Sequence, residues 1–443
     1  MSAENVYKKP ITLKNVMSFA LPTIVMSVFM SFYTMVDGLF VSNLIGTNAL
    51  SAINFTAPVI SVVSAISTML ATGGSAVIMK KIGEEKIKEA NEDFTFLIIV
   101  NVVIGIFMWL FGYLIMDMIF RKMNLSAEVF DYCHVYLSRY LLFTVPILLM
   151  NNFTIYMIAA GKSALSMSCS IAGGILNIIL DYVFIEIFNL GIAGATIATG
   201  LGYSVTAVTG LIIFSRKNSL LHFVRPVYRM KTLINSATNG SSEMATALVT
   251  GIVTMMYNWT MLKYVGEDGV AAITIIMYVL MFATSLYTGY TYGVAPMISF
   301  YYGEQNHYKL KKLIRMSLKI VGIVGVATLI LSIILTEPLV AIFTRPDNPV
   351  YELAVAGNRI CSTALIFIGI NIFASGMFTA LSNGLISAIL AFSRSFVFMV
   401  IATLLLPILF GVTGVWLATP VAEFASICLS IIMLVKYRNK YCY

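Results

Sequence analysis

The chain is short of charge. Only 11% of its 443 residues are Asp, Glu, Lys or Arg, where a soluble protein carries about 25%. With 59% apolar residues and a mean hydropathy of +0.91, the sequence cannot coat a surface that faces water. Soluble enzymes, disordered chains, collagen-like chains and nucleic-acid binders are excluded on that ground, despite a net charge of +8. Cysteine and histidine are also scarce. The five cysteines (Cys133, Cys169, Cys361, Cys428, Cys442) form no CxxC pair, and the histidines are His134, His222 and His307. A disulfide framework or a metal cluster is therefore not expected. Ala160-Gly161-Lys162-Ser163 has the end of a phosphate-binding loop, but Tyr156 stands where the earlier glycine belongs and an apolar helix precedes it. No nucleophile–base pair is visible either. The sequence thus points to a protein that is not an enzyme and uses no nucleotide and no organic cofactor.

What is abundant is apolar runs. A bilayer crossing needs about 20 such residues, and twelve runs qualify: 13–43, 49–79, 94–116, 131–158, 164–186, 190–215, 233–263, 270–299, 313–336, 352–379, 386–407 and 411–435. The first is too long for a signal peptide and contains Asp37, so it reads as a retained helix. With the N-terminus inside, the inner segments hold 21 Lys and Arg residues and the outer loops four, namely Arg121, Lys122, Lys263 and Arg345. That asymmetry predicts a multi-pass protein of the plasma or inner membrane with both termini in the cytoplasm.

The halves repeat at an offset of 220 residues. Ile45-Gly46 with Ala52-Ile53 maps onto Val265-Gly266 with Ala272-Ile273, and Gly83-Glu84 maps onto Gly303-Glu304. Gly191-Ile192-Ala193-Gly194 with Ala198-Thr199 maps onto Gly411-Val412-Thr413-Gly414 with Ala418-Thr419. Each repeat holds six crossings, an even number, so both halves run in the same direction. They must then be related by an axis along the membrane normal, with substrate between them. The expected architecture is an all-α integral membrane protein of twelve transmembrane helices, in two pseudo-symmetric six-helix lobes around a central cavity. The expected parts are an N-terminal lobe at 1–215, a basic linker at 216–232 and a C-terminal lobe at 233–443. Such a plan suits a secondary transporter. A duplicated membrane protein of another trade is the alternative.

Ionisable groups at membrane depth are costly and need a partner or a task. Asp37 lies about six residues from the outer end of the first run, and Asp181 about five from that of the fifth. Asn177 precedes Asp181 by one helical turn, and Thr199 enters from outside on the sixth run. All four fall within roughly 7–15 Å of the outer boundary at 1.5 Å per residue. Two carboxylates in a poor dielectric cannot both stay ionised without a cation. The set is expected to hold a proton, or a sodium ion coordinated by Asp37, Asn177, Asp181 and Thr199, unless the aspartates merely join hydrogen-bond networks between helices. A straight shift of 220 turns Asp37 into Tyr257, Asn177 into Val397 and Asp181 into Ile401 while keeping Thr199 as Thr419, so the acidic set is confined to the N-terminal half.

Other positions invite a role. Pro22 in the first run frees a carbonyl and permits a bend that moves Asp37, or is a static kink. Glu243 enters the seventh run by about ten residues and could attract a cationic substrate or be simply paired. Arg394 and Glu423 are at matching depth and read as a salt bridge. Among 26 methionines and many aromatics, Met30 and Tyr33 are candidates to line a cavity for flat lipophilic molecules, since methionine adapts its shape.

Met35-Val36-Asp37-Gly38-Leu39-Phe40-Val41, Asn177-Ile178-Ile179-Leu180-Asp181 and the glycine-rich opening of the sixth run at 191–199 together resemble the multidrug and toxic compound extrusion (MATE) family. The resemblance covers nearly the whole chain. It implies twelve helices in two lobes and export of lipophilic or cationic drugs or toxic organic compounds in exchange for H⁺ or Na⁺. It places the coupling cation at Asp37, Asn177, Asp181 and Thr199, with Tyr136 beside them, and makes Pro22 the bending proline. Glu243 matches an acidic C-lobe position that one branch pairs with a second acid, where this chain offers only Asn371. The partners implied are small organic, cationic or aromatic substrates and the lipid bilayer, with the protein a monomer. A flippase of lipid-linked sugars or lipids, from the same superfamily, is the alternative reading. A non-transporting membrane protein is the other.

Overall fold

The computed structural model describes residues 7–36, 45, 49, 51–123 and 125–443 in full, and the backbone alone of 37–44, 47, 48 and 50. Among the described residues the chain is predominantly helical and has no strand. This is the expected outcome in lipid, where every backbone N–H and C=O must be satisfied within its own segment.

The N-terminal half contains α1 (Leu13–Leu44), α2 (Thr47–Gly83), α3 (Ile87–Arg121), α4 (Ala127–Leu142), α5 (Thr144–Ala159), α6 (Ser163–Asp181) and α7 (Gly191–Phe214). The C-terminal half contains α8 (Met230–Tyr264), α9 (Glu267–Gly303), α10 (His307–Ile334), the short α11 (Thr336–Ala341), α12 (Pro349–Cys361), α13 (Leu365–Ala380), α14 (Gly384–Phe392) and α15 (Met399–Tyr441). A π-helical turn, Tyr182–Ile187, follows α6, and another, Ser393–Phe398, joins α14 to α15.

Among the described residues nine helical stretches are long and apolar enough to cross a bilayer, and a tenth is the pair α4 and α5. That fourth crossing, expected as one straight run, is broken by 53° at Phe143. Two features bring the architecture to twelve. The stretch Gly384–Tyr441 is two crossings meeting at Gly411, whose φ of 58° and ψ of −136° interrupt the helix. The other crossing is α8, 35 residues long, whose Glu243 and many Ser, Thr and Asn residues lower its apolar content. The protein is a multi-pass membrane protein of twelve helices in two lobes.

The repeat is written in the backbone. The ends of α2 and α9 differ by 220 at both termini, and α3 and α10 start 220 apart. Left-handed conformations recur at the same interval: Glu85 and Gln305 have φ of 62° and 59°, and Gly191 and Gly411 have 56° and 58°. In between the register slips by one, since Gly161 pairs with Ser382. The π-helical turn at Ser393–Phe398 inserts a further residue ahead of α15. The straight offset of 220 therefore fails in the fifth crossing. It assigns Ile401 to Asp181, but Ile401 is 49% exposed on the outer surface and Asp181 is buried. Met399, which touches Tyr257, and the buried Thr403 occupy the inward face there instead.

The lobes meet at the end of the molecule that carries most of the lysines and arginines. A Cβ on Gly83 would lie 2.1 Å from the carbonyl oxygen of Phe300, and one on Gly303 would lie 2.0 Å from that of Lys80. Residues 80 and 83 are the repeat partners of 300 and 303, so this contact is reciprocal about the pseudo-twofold axis. A Cβ on Gly73 would likewise collide with the Ser236 carbonyl and one on Gly240 with that of Met69, each at 1.9 Å. Main chain lies against main chain across this seam. Tyr7 bolts it further, donating its hydroxyl to Ala159 O in one lobe at 2.6 Å and accepting at its own carbonyl from Tyr301 of the other at 3.0 Å.

The segment between α7 and α8 is docked on the N-terminal lobe. The backbone N–H groups of His222 and Val224 donate to Asn91 Oδ1 and Thr95 Oγ1. Arg229 forks between Asp93 (3.0 Å) and Glu92 (2.6 Å), and Asp93, wholly buried, also takes Lys81.

Candidate functional site

Two polar regions lie inside the protein, one in each lobe, and a cavity of about 650 Å³ separates them. In the N-terminal lobe, α6 and α7 cross at Gly173 and Gly202, where an added Cβ on either would meet the other's carbonyl at 2.5 or 2.7 Å. That close approach brings Asn177, one turn beyond Gly173, against α7. Asn177 Nδ2 donates to Thr199 Oγ1 at 3.2 Å, and Thr199 donates back to Ala195 O at 3.0 Å. Asn177 Oδ1 is buried with no hydrogen-bond partner among the described residues. It belongs to a pocket of about 10 Å³ lined by Met30, Tyr33, Asn177, Tyr203 and Thr206, about the room one water-sized guest needs. Asp181 follows one turn further along α6 and is 1% exposed. These are oxygen donors, suited to a proton or a hard cation and not to a soft metal.

Asp37 lies outside the residues whose side chains are described. Tyr136 is half-buried on α4 and packs with the apolar cluster that includes Ile192 and Ala195. Pro22 sits inside α1, and the next residue, Thr23, donates to Ala20 O and Gly289 O, both at 2.7 Å, tying α1 to α9 at that level.

The central cavity runs between the lobes. Met30, Asn151 and Thr154 line it from one side, and Tyr257, Thr288 and Arg394 from the other. Met30 therefore faces the cavity. Tyr33 does not; it lines the small pocket at Asn177. A side chamber of about 260 Å³ opens in the C-terminal lobe, and Glu243, Tyr292, Arg394 and Glu423 share its wall. The Tyr292 hydroxyl donates to Glu243 Oε2 at 3.3 Å. Arg394 Nε donates to Glu423 Oε1 at 2.8 Å.

Asn371, expected on the cavity wall, lies behind it. It is 2% exposed, donates to Glu423 Oε2 at 2.7 Å and accepts from Ser430 at 2.9 Å. Its task is to hold Glu423, so it belongs to the support of the wall and not to its surface. Sequence reasoning also missed Tyr292 and the pair Tyr257–Thr419. A signal existed for Tyr292: Thr284, Thr288 and Tyr292 recur every fourth position on α9 and form one stripe. Among the described residues no group of three or more His, Cys, Asp or Glu is arranged to hold a metal ion.

Comparison with known proteins gives one consistent result. The profile of the MatE family matches residues 22–183 and 242–405, one stretch in each lobe. The multidrug export protein MepA of Staphylococcus haemolyticus (strain JCSC1435) is 24% identical over 429 residues, covering 96% of this chain and 94% of that one. MepA of Staphylococcus aureus (strain MRSA252) is 24% identical over 436 residues, 97% of this chain and 95% of that one. A MATE solved in complex with MaL6 superposes with a TM-score of 0.93 at 20% identity, over 99% of both chains. The outward-facing conformation of a multidrug resistance MATE family transporter of the MOP superfamily superposes with 0.91 at 21% identity, over 96% of both. With a family profile that matches the first five crossings of each repeat and a shared fold across almost the full length, the chain belongs to the MatE family of transporters.

Proposed function

We propose that the protein is an ion-coupled efflux antiporter that exports lipophilic or cationic organic compounds in exchange for H⁺ or Na⁺, by alternating access between its two lobes. The observation that carries this reading is the separation of chemistry by lobe. Asn177, Asp181 and Thr199 gather oxygen donors in the N-terminal lobe, whereas the cavity large enough for an organic molecule lies between the lobes. The relatives named as multidrug export proteins support it.

In this reading the basic end faces the cytoplasm, with both termini, as the distribution of Lys and Arg favours. The seam at Gly83 and Gly303 then closes the inner side, and the cavity addresses the outside. Asp37 and Asp181, with Asn177 and Thr199 and with Tyr136 beside them, take up the ion from outside. A carboxylate at membrane depth is costly without a cation beside it, which is the reason this set is assigned the coupling ion. Uptake of the ion lowers the negative charge that held a cationic substrate, and the substrate leaves. A bend of α1 at Pro22 transmits the change in charge to the cavity lining around Met30. The repeat supports including Asp37: its counterpart Tyr257 meets Thr419, the counterpart of Thr199, at 2.7 Å. The protein acts as a monomer, without nucleotide or organic cofactor and without enzymatic activity.

The test is transport of a fluorescent organic cation by reconstituted protein under an imposed pH or sodium gradient. Dye movement should follow one of the two gradients. Asp181→Asn and Asp37→Asn should each abolish the gradient dependence while leaving a monodisperse, helical protein. Undiminished gradient-driven transport in both variants would refute the coupling role.

A further inference from the structure

The two repeats treat the same helix face in opposite ways. Near the start of α3, Asn91 and Thr95 accept from the backbone N–H groups of His222 and Val224, and Glu92 takes Arg229. The segment that links the lobes thus satisfies the polar face of α3 from within the chain. The start of α10 follows that of α3 by 220 residues. The same interval turns Asn91 into Lys311, Glu92 into Lys312, Thr95 into Arg315 and Ile99 into Lys319. Lys312, Arg315 and Lys319 are exposed. Nowhere does α10 contain Asp or Glu, and among the described residues its one ion pair is Lys309 with Glu304, at 3.9 Å. A general bias of Lys and Arg toward this end does not account for the difference, because it would act on both lobes alike.

The three cations head a single stripe. Steps of three and four residues carry it on through Ile323, Val326 and Ile330, which are 70%, 45% and 51% exposed. In a membrane-spanning helix such an apolar stripe faces acyl chains. Depth follows from the far end of the crossing. Glu337 is 62% exposed and pairs with the exposed Arg359, so it stands at the opposite water boundary. It follows Lys319 by eighteen residues, a distance of at most about 27 Å at 1.5 Å per residue. The apolar layer is about 30 Å thick, which sets the Lys319 backbone at its edge or inside it, on the lipid side. A cation there needs a counter-charge. Helical side chains lean toward the N-terminus of their helix, which in α10 is the basic end. Lys319 therefore reaches back toward Arg315 and Lys312, and the three charges converge at headgroup level.

We propose that Lys312, Arg315 and Lys319 bind the phosphate of an anionic phospholipid in the leaflet at the basic end, and that this site belongs to the C-terminal lobe alone. The guanidinium fork of Arg315 can hold two phosphate oxygens, and the ammonium groups on either side add charge. The occupant is a lipid and not a soluble phosphate, because the stripe runs on into Ile323, Val326 and Ile330, which take an acyl chain. A zwitterionic headgroup carries its own cation and gains less. The lipid supplies to α10 from outside the chain what the interlobe segment supplies to α3 from within it. The inference is independent of the efflux reading and of which ion drives transport.

In the experiment, delipidated full-length protein in detergent is titrated with phosphatidylglycerol or with phosphatidylcholine of the same acyl chains. Native mass spectrometry resolves the first bound lipid. The unaltered protein should bind phosphatidylglycerol the more tightly. Lys312→Gln/Arg315→Gln/Lys319→Gln should weaken that binding about a hundredfold, since each basic residue near an anionic headgroup contributes about a factor of five. Its binding of phosphatidylcholine should change little, which also reports that the variant is folded. Lys312→Arg/Lys319→Arg, which keeps the charge, should retain the preference. Lys9→Gln/Lys14→Gln/Lys231→Gln removes the same charge from exposed residues elsewhere at the basic end and should leave it nearly unchanged. Excess inorganic phosphate should not displace the lipid. Equal affinity of the unaltered protein for the two lipids overturns the inference. So does a loss in the α10 variant no larger than in the comparison variant, or displacement by inorganic phosphate. Each of these results leaves the efflux reading standing.

Discussion

The hydroxyl of Tyr257 lies 2.7 Å from Thr419 Oγ1, and the repeat maps this pair onto Asp37 and Thr199. One lobe therefore carries a neutral, mutually satisfied pair at the position where the other carries an acid. This asymmetry predicts that Tyr257→Phe lowers stability by about 1 kcal/mol, the net worth of one hydrogen bond. It should not alter the number of ions exchanged per substrate. Parallel flux measurements of ion and dye in vesicles check the second point, and a change in that ratio would move part of the coupling into the C-terminal lobe.

The seam at the basic end has room for no side chain. Placing a methyl at position 303, 2.0 Å from the Lys80 carbonyl, forces the lobes apart in this conformation. Overpacking of this kind costs about 1–3 kcal/mol. Gly303→Ala should accordingly shift the population by roughly 5- to 140-fold toward forms open at this end, since about 1.4 kcal/mol is a factor of ten. Spin labels at the basic ends of α2 and α9 would report the change as a longer interlobe distance. An unchanged distance distribution would show that the seam is not what holds this state.

Arg229 clamps the segment between the lobes by forking to Glu92 and Asp93. It is about a third exposed, so its loss is screened in part. Lys81 remains on Asp93 to limit the damage. Arg229→Ala should cost about 1–2 kcal/mol and speed tryptic cleavage after Arg216, Lys217 and Arg225. Arg229→Lys should recover less than half of the protection, because a single ammonium cannot fork between two carboxylates. Cleavage at the original rate in the alanine variant would contradict the clamp.

Much of the fold was legible because lipid makes the code simple. Apolar runs of the right length become helices, and an even number of crossings per repeat sets the relation of the halves. The break at Phe143 does have a mark in the sequence. Pro146 has no N–H to give the Leu142 carbonyl, and it sits in the first turn of α5, where a helix tolerates it. Hydropathy alone, which treats 131–158 as one run, does not register it. The register of the fifth crossing was misread for a different reason. A π-helical turn adds one residue without any characteristic side chain, and a fixed offset then points to Ile401 on the outer face. Asn177 and Thr199 were legible as a pair of polar residues at equal depth. The inward direction of Arg394 was not, because it depends on Asn371 and Ser430 holding Glu423 from behind. Depth can be counted along a sequence; the azimuth of a side chain depends on its neighbours in space.

The interlobe seam has a mechanical consequence. Where glycine meets a peptide carbonyl on both sides, no knobs and holes interlock, so the halves can part and reseat without unthreading rotamers. Friction at those contacts is low, and the cost of opening falls on the apolar side chains packed around them and on releasable fasteners at the margin. The hydroxyl of Tyr7, latched to Ala159, and the grip of Tyr301 on the Tyr7 backbone are two of them.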